Sequence, residues 1–143
     1  MSLIVRVIAR IMVGTMFLYG CYIILHGHLT PGGGFAGGVI IAAAFILLSL
    51  AFGSVEEAER SGYVFSSVFE SLGGLTFLGL ALAGYFAGEF FFSSAATFFL
   101  GRPLALVSGG IIPLANIAIG VKVGAGLFAI FLAFGASRFV MKE

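Results

Sequence analysis

Four apolar stretches, at about residues 3–25, 33–53, 63–88 and 111–135, occupy most of the chain, and each is long enough to cross a bilayer as a helix. A crossing takes roughly 20 apolar residues, because each helical residue advances about 1.5 Å through a hydrocarbon layer about 30 Å thick. The spacing therefore predicts an all-α, polytopic membrane protein with four transmembrane helices, forming one membrane domain over residues 1–143. Composition agrees: 61% of the 143 residues are hydrophobic and 9% are charged, which leaves connections too short for a soluble catalytic domain.

Charge placement narrows the partners and the orientation. The formal net charge is +1 and no basic tract is long enough to track a phosphate backbone, so nucleic acid is not an expected partner. Arg6, Arg10, Arg60, Arg138 and Lys142 fall on one side of four crossings and Arg102 on the other. That bias predicts a multi-pass cell-membrane protein with both termini in the cytoplasm. The first helix is read as retained, since Tyr22, Ile23, Ile24 and Leu25 give no small-residue cleavage pattern after Arg6 and Arg10.

The connections differ in character. His26 to Gly34 is a sharp break, where Pro31 disfavours helix at Thr30 and the glycines relax the backbone. Ser54, Glu56, Glu57, Glu59, Arg60 and Ser61 read as a charged surface turn. The aromatic tract from Glu89 to Pro103 suits either an interfacial segment or a prolonged third helix. Leu104 to Ile112 suits a loop or a short re-entrant piece, and four crossings are preferred over five.

Glycine is abundant, with 22 residues. Gly34 and Gly38, Gly84 and Gly88, and Gly120 and Gly124 are each four apart, so each pair clears one helical face for close approach. The Pro31 to Gly38 run lacks the lysine and hydroxyl of a phosphate loop and does not follow a strand, so it is not read as a nucleotide site.

A few polar side chains lie at membrane depth. Glu70 sits well inside the third apolar stretch, beside Gly73 and Gly74, and Lys122 sits inside the fourth. An ionised group there needs a polar partner or water. Glu70 suits proton relay if it exchanges protons, and cation coordination or an ion pair if it stays charged. A Lys122–Glu70 bridge is one option, and partners in another subunit are the other. Asn116 lies six residues before Lys122, on a different face, and can fasten its helix to a neighbour. His26 suits a helix-end hydrogen bond or an ion role, and His28 a loop anchor, a headgroup contact or an ion role. Neither histidine has the companions of a metal site, and Cys21 stands alone. No catalytic constellation, metal or cofactor is expected in this chain.

The run His26-Gly27-His28-Leu29-Thr30-Pro31-Gly32-Gly33-Gly34-Phe35-Ala36-Gly37-Gly38 resembles the MnhB/MrpB family, the small B-type membrane subunits of multisubunit Na+/H+ antiporters and related membrane-bound hydrogenase complexes. The resemblance, which extends over nearly the whole chain in length and hydropathy, implies an accessory subunit among other membrane subunits, with Na+ and H+ as the transported ions and lipid around it. Any redox cofactor would then belong to other chains. It also implies a loop motif on Thr30, Pro31, Gly32, Gly33, Gly34, Gly37 and Gly38. Glu70, Lys122, His26 and Asn116 are the ion-pathway candidates. The family tends to carry an aspartate near the place of Asn116, so an acidic relay through that position is not expected here. Purely structural assembly of the antiporter module is the competing role.

Overall fold

The computed structural model describes residues 2–52, 55–86, 90–92 and 109–140, with 55–61 and 136–140 described by backbone alone. It contains α1 (Leu3–Leu25), α2 (Gly33–Phe52), α3 (Val55–Phe86) and α4 (Ile112–Val140). Each carries an apolar span of crossing length: Leu3–Leu25, Gly33–Phe52, Gly62–Phe86 and Ile112–Gly135. The described fold is all-α, with four long apolar helices fit for a polytopic membrane protein.

The helices do not pack in chain order. α1 packs on α2, α2 on α4, and α4 on α3, while α1 touches α4 and α2 touches α3 only lightly. The contacts also set direction. Gly20 lies opposite Gly37 and Gly27 opposite Gly33, so α1 and α2 run antiparallel. Gly34 meets Asn116 and Gly38 meets Gly120, so α2 and α4 run parallel. Gly73 meets Lys122 and Gly126 meets Glu70, so α3 and α4 run antiparallel. The start of α1 and the end of α4 consequently lie at the same end of the row.

Small side chains make the interior. Ala42, Ala44, Ala51, Ala81 and Ala118 are buried, and among the described residues the largest fully buried side chain is Leu132. Large apolar residues such as Leu3, Leu18, Phe35, Leu75 and Phe134 point outward. A soluble protein could not expose so much apolar surface, but lipid tails and neighbouring transmembrane helices solvate it. Helix contact then rests on backbone approach rather than on hydrophobic expulsion.

The glycine-rich turn shows how the sequence allows this. Gly32 and Gly33 have φ of +140° and +74°, a region that side chains disfavour, and they reverse the chain into α2. Thr30 closes the end of α1 by donating its hydroxyl to the His26 carbonyl at 3.1 Å. Gly37 then faces α1, where a Cβ would lie 2.7 Å from the Gly20 carbonyl oxygen. Gly34 and Gly38 face α4, where a Cβ would strike the carbonyls of Asn116 and Gly120. One short motif thus serves a turn and two seams.

One connection differs from the sequence reading. The charged tract 55–61 is helical rather than a turn and forms the first part of α3. Glu, Ala and Arg are good helix formers, and carboxylates near a helix start oppose its positive end. Beyond the described part of α3, the Phe92 N–H donates to the Ala81 carbonyl at 3.1 Å, so residues 90–92 lie back against α3. The Phe92 ring packs on Phe77, with centroids 5.3 Å apart. The tract 93–108, including Arg102 and most of the proposed re-entrant piece, lies outside the described residues.

Candidate functional site

Glu70 lies eight residues into the Gly62–Phe86 span, about 12 Å along the axis. Lys122 lies ten residues into Ile112–Gly135, about 15 Å along. Antiparallel packing brings the two to the same level, and the Lys122 Nζ donates to the Glu70 Oε1 at 3.4 Å. The bridge left open by the sequence is formed within the chain.

Glycines make room for it. Gly73 lets the α4 backbone approach, since a Cβ there would lie 2.8 Å from the Lys122 backbone nitrogen. Gly126 leaves the Glu70 carboxylate uncovered, with a Cβ position 3.5 Å from its Cδ, and Gly74 does the same for the Lys122 ammonium at 3.8 Å. The pair keeps 42% of the Glu70 and 51% of the Lys122 side chain accessible in the single chain. Among the described residues Lys122 uses one of its three donors, and the Glu70 carboxylate has acceptor capacity left. Nearby hydroxyls do not fill the gap: Ser71 and Thr76 each donate to a carbonyl of their own helix at 2.8 Å. The remaining capacity faces outward.

An open apolar groove of about 240 Å³ runs along the same two helices, lined by Phe69, Leu72, Gly73, Thr76, Leu114 and Val121 among others. It does not include the ion pair. On α3 its residues recur three and four apart, with Phe69 and Gly73 flanking Glu70, which lies about 100° around the helix from Phe69.

The other two candidates sit elsewhere. Asn116 faces α2, and its Oδ1 accepts from the Gly34 N–H at 3.4 Å. Its Nδ2 is buried without an acceptor among the described residues, next to Gly27 and the turn. His26 ends α1, with its Nδ1 3.1 Å from the Tyr22 carbonyl oxygen and its ring 4.1 Å from the Tyr22 ring. His28 packs beside Gly109, at the start of α4. The structure thus joins Glu70 with Lys122, and separately gathers His26, the turn glycines and Asn116 at the α1–α2–α4 corner. Among the described residues, no group of three or more His, Cys, Asp or Glu could hold a metal ion.

The sequence reading counted Arg6 and Arg10 on one side of the crossings but did not find the partner they share. Both guanidinium groups lie over the Phe52 ring, at 6.0 and 5.4 Å from its centroid. The signal was present in the antiparallel α1–α2 hairpin, which sets the end of α2 beside the start of α1.

Known proteins resemble this arrangement over most of its length. The uncharacterized protein MJ1307 of Methanocaldococcus jannaschii is 38% identical over 144 residues, covering 98% of this chain and 55% of its own length. "Putative antiporter subunit mnhB2" of Staphylococcus aureus is 29% identical over 137 residues, covering 96% of both chains. A chain in the structure of the membrane-bound sulfane sulfur reductase, an archaeal respiratory membrane complex, aligns with a TM-score of 0.75 at 36% identity, covering 91% of this chain and 56% of that one. The chain therefore spans little more than half the length of two of these relatives. The family described as a domain related to the MnhB subunit of the Na+/H+ antiporter matches residues 4–129. The protein belongs to that MnhB-related family.

Proposed function

We propose that the chain is an accessory membrane subunit of a multisubunit cation/proton antiporter module, standing alone or coupled to a redox complex, and that it contributes to Na+/H+ translocation through Glu70 and Lys122. The observation that carries this reading is the outward-facing ion pair at membrane depth. Charged groups facing lipid cost several kcal/mol, about 2.5–3.5 each on insertion scales. A pair with unused hydrogen-bonding capacity is therefore matched to water or to polar groups of a neighbouring subunit. Either surrounding suits a point where a cation or proton passes. The MnhB relatives and the respiratory-complex chain support the same setting. Both termini are assigned to the cytoplasm, from the excess of basic residues at the end of the row where α1 begins.

Replacing Glu70 with Gln, in a complex shown to assemble, tests the reading through sodium-dependent proton flux. The expected result is a large loss of flux per assembled complex, and unchanged flux would reject an essential charge.

A second reading, assembly alone, has its own observation: Gly34, Gly38, Gly120 and Gly124 form a close seam without any ionisable group. On that reading, neutral substitutions lower recovery of the complex and leave flux per complex intact.

A further inference from the structure

Arg6 and Arg10 lie four residues apart on α1, one turn above the other, and both are exposed. Their guanidinium carbons converge on one ring, Phe52, the last residue of α2. Two cations drawn to one ring repel each other, and the ring face offsets only part of that repulsion. Among the described residues neither arginine has a carboxylate partner, since the ion pair found there joins Lys122 to Glu70. Glu56, Glu57 and Glu59 follow Phe52 closely in sequence, with side chains outside those described.

Depth limits what can neutralise the arginines. Arg10 lies seven residues into the first span, about 10 Å along the axis. Its stem lies along the apolar helix and its head reaches back toward the headgroups. A guanidinium presents a planar fork of donors that matches phosphate oxygens in pairs. Two such forks, steered by one ring at headgroup level, form a receptor for a phosphate oxyanion, and the exposed apolar side of α1 beside them, including Val7, Ile11 and Leu18, suits acyl chains.

We propose that Arg6, Arg10 and Phe52 form a binding site for the phosphate of an anionic phospholipid headgroup, in the leaflet where α1 begins. The site is separate from the Glu70–Lys122 pair and stands or falls without it.

Native mass spectrometry of the purified full chain tests this. The chain is exchanged into micelles holding equal amounts of phosphatidylglycerol and phosphatidylcholine with matched acyl chains, and the retained lipid is counted. The expected preference for phosphatidylglycerol is about 30-fold, from two basic residues near an anionic headgroup. Arg6→Gln with Arg10→Gln should remove most of it, with helix content checked by circular dichroism. Arg6→Lys with Arg10→Lys keeps the charge but loses the forks, and Phe52→Leu keeps the charge but loses the ring, so both should weaken it by several-fold. No preference in the unaltered chain, as expected if the three glutamates neutralise the arginines, would overturn the proposal. So would a preference that survives the Gln pair. Displacement of the lipid by millimolar inorganic phosphate would overturn the lipid assignment in favour of a soluble ligand.

Discussion

The two seams of α4 are built from the same small-residue material and differ in what they leave unsatisfied. Against α2, Gly34, Gly38, Gly120 and Gly124 bring backbone to backbone, and the main polar contact is the Asn116 bond to the Gly34 N–H. Against α3, Gly73 gives the same close approach, but Gly74 and Gly126 hold a Glu70–Lys122 pair open on one side. The first seam leaves one neutral donor, the Asn116 Nδ2, buried without an acceptor among the described residues, and no charge. The second is complete only with water or a neighbour, and that difference separates a packing surface from a candidate ion site.

Substitutions should separate the seams by size of effect. The largest is expected for Gly38→Leu, which drives a side chain into the Gly120 carbonyl and Val123. Backbone cannot yield as a side-chain tip can, so a cost of about 3 kcal/mol or more is expected, seen as loss of folded chain in size-exclusion recovery. Gly73→Leu should act alike on the other seam, because its nearest neighbours are also α4 backbone. If both fold normally, the backbone-contact account of the row fails.

Lys122→Met comes next. It removes one partner and leaves the Glu70 carboxylate alone at depth, which costs more than losing the whole pair. Recovery of the assembled complex should fall, and adding Glu70→Gln should restore much of it. Asn116→Ala should have a smaller effect, about 0.5–1.5 kcal/mol for one hydrogen bond, read as a lower thermal midpoint with flux per complex unchanged. The smallest is Gly79→Ala: nothing lies within 4 Å of a Cβ there. Alanine should raise helix stability by up to about 1 kcal/mol, unless another subunit packs against that face.

Much of this was legible in the residues. Hydropathy located the spans because every crossing segment must satisfy its own backbone, and glycines four apart marked Gly34 and Gly38, which meet Gly120 and Gly124. Depth made Glu70 and Lys122 stand out. Their pairing was not legible, since it depends on α3 packing on α4 and on an antiparallel register that side-chain spacing within one helix does not encode. The helical state of 55–61 was hidden by its charge, which marks water exposure and says little about backbone conformation. Asn116 was expected to fasten its helix, but its partner, a backbone N–H at the start of α2, leaves no mark on residue type.

The most direct measurement is sodium-dependent proton flux per assembled complex after the joint replacement of Glu70 with Gln and Lys122 with Met. Joint neutralisation leaves no stranded charge, so assembly should be retained while the polar step is removed. The account predicts a fall in flux of at least about tenfold, the size of a barrier change near 1.4 kcal/mol. Flux equal to that of the unaltered complex would contradict it and leave the pair as a fastener between helices.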